Sequence, residues 1–137
     1  MENPSNDKIG QVLDEAKTIA VVGLSDNPDR TSYQISKIMQ REGYRIIPVN
    51  PTVKEVLGEK SYASLLDIEE EIDIINVFRR SEFLPEIAKE ATQTNCNVFW
   101  AQQGLANEEA YNILIDKDFT VIMDLCIKVA HAILLKK

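Results

Sequence analysis

Cysteine and histidine are scarce in this chain: Cys96 and Cys126 are the only cysteines and His131 the only histidine in 137 residues. Two thiols do not make a disulfide framework. They suit a reducing compartment, the cytoplasm, and buried apolar positions for both side chains. His131 lies on an apolar helix stripe with no cysteine or carboxylate at ligand spacing, so neither a metal site nor a nucleophile–histidine arrangement can be argued from it. Positive charge is also short, with 15 Lys and Arg against 22 Asp and Glu and a net charge of −7. That balance argues against nucleic acid as partner, because phosphate backbones reward a basic face. No apolar run nears the roughly 20 residues of a membrane span, so no membrane association is expected. The opening MENPSNDKIG has neither the basic start nor the apolar middle of a signal peptide. With five glycines in the whole chain, neither G-x-G-x-x-G nor the P-loop pattern is present.

What is present is an alternation of strand and helix patterns in a chain that is 45% hydrophobic. Residues 1–7 are polar and read as a frayed end, with one domain filling the rest of residues 1–137. Ile9, Val12, Leu13 and Ala16 recur at helical spacing in Lys8 to Ala16. Thr18 to Val22 is a β-branched strand, Thr31 to Glu42 a helix stopped by Gly43, and Tyr44 to Val49 a second strand. Val53, Val56 and Leu57 read as one helical turn broken by Gly58, and the acidic Ser64 to Glu71 as a segment containing another short helix. Strands follow at Asp73 to Phe78, Asn97 to Ala101 and Phe119 to Met123. Helices fall at Glu82 to Thr94 and Asn107 to Asp116, and Asp124 is placed to cap a last helix carrying Ile127, Val129 and Ala130. This alternation predicts an α/β Rossmann-like doubly wound fold: a five-stranded parallel sheet, order 3-2-1-4-5, with helices on both faces.

In such sheets a ligand binds outside the carboxyl ends of the strands. The first such loop holds Gly23, Leu24, Ser25 and Asp26, with Arg30, Thr31 and Ser32 at the following helix start. Backbone amides, hydroxyls and the positive end of a helix dipole there suit a phosphate; the bland reading is a glycine turn whose hydroxyls cap the helix. Asn50 and Pro51 end the second strand, where NAD-binding folds place an acid on the ribose, so NAD is disfavoured. Phe78, Arg79 and Arg80 leave the third strand, and paired arginines there can grip a phosphate or can simply open a solvated helix. Gln102 leaves the fourth strand and offers an amide to a ligand or to the loop itself. No carboxylates are paired for acid–base work, and no catalytic residue is assigned.

The run VVGLSDNPDRTSYQISKIMQREGYRIIPVNP resembles the small bacterial CoA-binding-domain proteins, stand-alone relatives of the CoA-binding domain of the succinyl-CoA synthetase alpha subunit. EVLGEKSYASL, DIINVFRRSE, VFWAQQG, NEEA and MDLCIK continue the resemblance, which spans Thr18 to Lys128. It implies a Rossmann-like fold and coenzyme A or an acyl-CoA as ligand. It puts the family's turn-and-serine motif on Gly23, Leu24 and Ser25, its Pro-Val-Asn-Pro motif on Pro48 to Pro51, and its Phe-Arg motif on Phe78, Arg79 and Arg80. Leu125 stands where relatives often carry arginine, so no charged contact is expected from that loop. The synthetase's phosphorylated histidine belongs to a second domain, and His131 matches nothing in it. The resemblance thus implies a non-catalytic binder or sensor of CoA species. An enzyme using a nucleotide cofactor (an oxidoreductase or transferase) and an interaction domain without a ligand stay open as alternatives, as does a protein partner or homo-oligomer.

Overall fold

In the computed structural model, which describes residues 1–135, the chain winds strands and helices in alternation. Helix α1 (Asn6–Glu15) leads into β1 (Thr18–Val22), α2 (Thr31–Arg41) and β2 (Arg45–Val49). Two short strands, β3 (Glu55–Val56) and β4 (Glu59–Lys60), precede β5 (Ile74–Val77), α3 (Leu84–Ala91) and β6 (Val98–Ala101). The chain then forms α4 (Glu108–Ile115), β7 (Thr120–Ile122) and α5 (Ile127–Leu134). The main sheet has five strands in the order β2-β1-β5-β6-β7, and every pair is parallel. Helices α1, α2 and α5 pack together on one face, and α3 and α4 on the other. This is the doubly wound Rossmann-like architecture that the apolar, β-branched strands call for, because a parallel sheet must be covered on both faces.

The assignment of strands to places differs from the expectation in one respect. Segment 73–78 does not sit outside β2; its strand β5 pairs with β1 on the other side. The place outside β2 is held by a single parallel bridge from Tyr62 to Val49. Counting that rudimentary edge as third, the sheet reads 3-2-1-4-5 with β7 as a sixth position. Burial explains the choice. All of β5 is buried and needs neighbours on both sides, whereas β2 opens with exposed Arg45 and carries Pro48. Tyr62 N–H donates to the Pro48 carbonyl at 3.0 Å. The missing N–H of Pro48 therefore faces the edge, where a proline is tolerated.

Three local readings are corrected. Val53 to Gly58 is not a helical turn: β3 and β4 pair antiparallel around Leu57 and Gly58, both at positive φ (56° and 77°), the geometry of a tight two-residue hairpin. The acidic segment holds only a 3-10 turn, Leu65–Asp67. The amino end is anchored rather than frayed. Asn3 Nδ2 donates to the Met123 carbonyl and Met123 N–H donates to Asn3 Oδ1, both at 2.8 Å, and Ser5 caps α1 by accepting from Lys8 N–H. A side-chain amide can copy both halves of a strand pairing, and the pattern of apolar residues carries no trace of that.

Candidate functional site

The carboxyl end of β1 turns at Gly23, whose φ of 86° favours glycine. Space makes the same demand: a Cβ here would stand 2.7 Å from the Phe78 carbonyl oxygen and 3.1 Å from Arg79 Cδ. The chain leaving β5 thus crosses directly over the turn that leaves β1. Beyond Gly23 the loop is tied to itself. Ser25 N–H donates to Ser32 Oγ, Asn27 N–H to Ser25 Oγ, and Asp29 N–H to Asn27 Oδ1. Ser32, buried on the first turn of α2, props the loop instead of capping the helix. Arg30 holds the N-cap position without a side-chain cap bond, and the first turn of α2 has no acid. By contrast, Ser5 caps α1 and Asn107 caps α4. The amino end of α2 is therefore an open, positively polarised terminus beside a glycine turn, a combination that suits an anion.

Asn50 is a clamp. Its Nδ2 donates to the Leu24 carbonyl at 3.0 Å, and its Oδ1 accepts from Thr52 N–H and Oγ1. Its own N–H donates to the Tyr62 carbonyl at 2.8 Å. These bonds hold the β1 turn, the Pro51 turn and the Tyr62 edge in one frame. Gln102 does the same on the other side. It is buried, donates to Asn76 Oδ1 at 2.7 Å, and accepts from Ile127 N–H at 3.4 Å. It links the centre of the sheet to the start of α5.

Arg79 and Arg80 differ. The Arg79 guanidinium lies 4.5 Å from the Phe83 ring centre and that of Arg80 lies 5.4 Å away. Arg80 pairs with Glu82 at 3.4 Å through two exposed side chains, a contact of little strength. Arg79 has no carboxylate partner among the described residues, and its stem packs over Gly23. A guanidinium parked on an aromatic face keeps its in-plane donors free for an anion.

Two cavities open at this end of the sheet. One, of about 830 Å³, lies on the β2 side between Val49, Pro51 and Leu65 and the α3 residues Ile87 and Glu90. The other, of about 610 Å³, lies on the β6 side between Thr31, Ile35, Leu105 and Cys126. Gly23, Ser25, Arg30, Phe78, Arg79 and Arg80 line both. The result is a pair of half-apolar lobes meeting at a cationic ridge. A third cavity, of about 650 Å³, lies at the opposite end of the strands around Tyr44 and His131. Its turn glycine, Gly43, follows the carboxyl end of α2, whose dipole repels an anion, so the strand-end rule and the loop chemistry both favour the first two.

Of the residues singled out from sequence, the structure brings Gly23, Ser25, Arg30, Thr31, Ser32 and Phe78 to these lobes, with Asn50, Pro51, Arg79, Arg80 and Gln102. Leu24 is instead fully buried and Asp26 is an exposed loop residue that lines neither lobe. Asp124 does not cap α5. It sits at φ 58° and accepts from Gly104 N–H at 2.6 Å, while Cys126 takes the N-cap position. Sequence reasoning missed Asn76, Phe83, Glu90 and Cys126. Asn76 was visible as a lone amide inside an apolar strand; the others lack such a signal. The second thiol, Cys96, is buried away from both lobes, and burial pushes it up to about 11, which keeps it unreactive at neutral pH. Among the described residues no cluster of side chains could hold a metal ion, and no helix is long and apolar enough to cross a membrane.

The chain is similar to known proteins over nearly all its length. The profile of a family described as a CoA binding domain matches residues 17–132. An uncharacterized protein of Bacillus subtilis, YneT, is 62% identical over 133 residues, covering 97% of this chain and 98% of that protein. The ADP-forming acetate–CoA ligase of Methanocaldococcus jannaschii is 31% identical over 74 residues, 54% of this chain but 10% of the ligase. The chain thus corresponds to a small part of that enzyme. Among solved structures, a hypothetical protein of Pyrococcus horikoshii superposes with a TM-score of 0.93 at 30% identity, covering 99% of this chain and 100% of that one.

Proposed function

We propose that this chain, which belongs to the CoA binding domain family, binds coenzyme A or an acyl-CoA as one domain, across the carboxyl ends of β1, β2, β5 and β6. The observation that carries this reading is the pair of lobes joined at a cationic ridge. Coenzyme A has the matching layout: a charged pyrophosphate in the middle, an adenosine arm on one side and a pantetheine arm on the other. The fit can be followed residue by residue. The open amino end of α2 and the close backbone approach at Gly23 suit a phosphate. Arg79, with free donors, adds a charge-assisted contact. Apolar side chains in both lobes suit the pantetheine chain and the adenine base. The protein carries a net charge of −7, so long-range attraction does not hold the ligand and these local donors must.

Among the described residues that line the lobes, none is placed as a nucleophile with a base beside it, so the reading is of a binder or sensor of CoA species. Its relation to the acetate–CoA ligase is that of a binding region, not of a whole enzyme. The test is calorimetric titration of the purified protein with CoA, acetyl-CoA, dephospho-CoA and NAD, together with mass analysis of any small molecule released on denaturation. CoA species should bind without turnover and more tightly than NAD. Tighter binding of NAD, or hydride transfer to any substrate, would overturn the reading.

A further inference from the structure

Helix α5 is the middle member of the three-helix layer on one face of the sheet, and its outer side is apolar. It packs against α1 and α2, yet Val129 is 42% and Ile133 60% exposed, with Ala132 exposed beside them. Lys128, His131, Ala132 and Leu135 form the stripe of α5 that lines the cavity of about 650 Å³, against Ile38 and Met39 of α2. Val129 and Ile133 lie on the neighbouring stripe, away from α2, so an apolar ridge runs beside an open groove. The helices on either side carry opposite charge. On α1, Asp7 and Asp14 share a stripe with Gly10, where a Cβ would stand 3.7 Å from Leu134 Cβ of α5. Both acids are exposed. On α2, Lys37 and Arg41 are exposed one turn apart, and the helix contains no acid.

We propose that this layer is a self-docking face whose partner is a second copy of the chain. A two-fold axis parallel to α5 sets α5 on α5 and exchanges the flanks. The acidic stripe of α1 then meets the basic stripe of α2 in the other copy, and symmetry makes that contact twice. A two-fold axis across the helices sets α1 on α1 and α2 on α2, like charge on like charge, and is disfavoured. The favoured axis also turns the Val129–Ile133 ridge of each copy toward the groove of the other, because ridge and groove lie on opposite sides of α5. At about 1.5 Å per residue and about 10 Å per helix, the three helices offer roughly 450 Å² per copy. That area belongs to weak, reversible association. All three helices run toward the amino ends of the strands, so the dimer leaves both carboxyl ends uncovered and on the same side.

The test is sedimentation equilibrium of the purified full chain over a micromolar to millimolar series. The parent should pass from the mass of one chain to that of two. Ile133→Asp changes an exposed side chain and should raise the dissociation constant roughly a hundredfold, because symmetry loses the contact twice at about tenfold each. Charge reversal supplies a second arm. Asp7→Lys with Asp14→Lys makes both flanks basic, and Lys37→Glu with Arg41→Glu makes both acidic. Each double variant alone should stay a single chain. Mixed in equal amounts the two should pair, since every acidic flank then meets a basic one. Thermal midpoints show whether the variants fold, and the parent's own series is read independently of them. A parent that stays one chain throughout overturns the proposal. So does a dimer that survives Ile133→Asp, or a mixture of folded double variants that pairs no better than its parts. None of these side chains lines the two lobes, so the CoA-binding reading stands or falls separately.

Discussion

Gln102 and Asn76 form a buried side-chain pair: Gln102 Nε2 donates to Asn76 Oδ1 at 2.7 Å, with the two residues 4% and 2% exposed. The other end of the Gln102 amide accepts from Ile127 N–H, so one side chain joins the middle of β5 to the first turn of α5. Gln102→Leu keeps the bulk and removes both bonds. It leaves the Asn76 oxygen buried without a donor, which costs about 1–3 kcal/mol. The expected result is a lower urea midpoint with an unchanged slope, and weaker ligand binding because the β6-side lobe loses its frame. Unchanged stability would mean that the pair is not formed in solution.

Gly23 is constrained twice, by a φ of 86° and by the Phe78 carbonyl 2.7 Å from where a Cβ would sit. The obstacle is backbone and cannot rotate away. Gly23→Ala should therefore lower stability by about 1–3 kcal/mol as well as abolish CoA binding. Thermal melting and titration together check it; a variant as stable as the parent would show that the two turns are not in contact.

The two arginines after β5 make unequal predictions. Arg79→Ala should weaken CoA binding by roughly ten- to a hundred-fold, the worth of one charge-assisted hydrogen bond. Arg80→Ala, which removes an exposed contact to Glu82, should change it by no more than about threefold. Equal losses in titration would show that both guanidiniums leave Phe83 for the ligand.

Much of this was legible in the residues. The strand Thr18 to Val22 matches in both bounds because β-branched runs closed by glycine admit little else. The other strands are off by a residue or so at their ends, where pairing rather than propensity decides. The hairpin at Leu57 was hidden because a hydrophobic residue takes a positive φ that sequence patterns assign to glycine or asparagine. At the site, the loops singled out from sequence are the ones that line the two lobes, but the division of labour within them was not legible. Ser32, on the first turn of α2, and Asn50 and Gln102, at strand ends, look like ligand donors, yet their polar atoms tie neighbouring segments together. Glu90 was invisible because its part is defined by Ser64 and Leu65, about 25 residues away along the chain.

At the opposite end of the strands, Tyr44 donates its hydroxyl to the Leu13 carbonyl. Burial, with Asp14 and Glu42 nearby, pushes its phenol up to about 12 from an ordinary 10. The protonated phenol is the form that the fold favours. Its contribution is therefore complete below about pH 10 and is lost as pH rises towards 12. Tyr44→Phe should be less stable than the parent at pH 8 by about 1 kcal/mol, and the gap should narrow between pH 10 and 12. A gap that stays constant in denaturant titrations across that range would show that the hydroxyl is not held as described.

Asn50 occupies the position where dinucleotide-binding sheets place an acid on the ribose, which invites the idea that Asn50→Asp would convert the site to NAD. The hydrogen bonds predict otherwise. Asn50 Oδ1 already accepts from Thr52 twice, and Nδ2 donates to the Leu24 carbonyl. An aspartate keeps the Thr52 contacts but turns an anionic oxygen on the Leu24 carbonyl, where two acceptors repel. The cost is about 1–3 kcal/mol of stability, and relieving it means opening the β1 turn on which the proposed phosphate site rests. The variant should melt lower than the parent, bind CoA more weakly and gain no affinity for NAD. Stronger NAD binding by a stable Asn50→Asp would show that the side chain faces the ligand rather than the loop, and that identity at this one position, not the clamp, sets which nucleotide the protein takes.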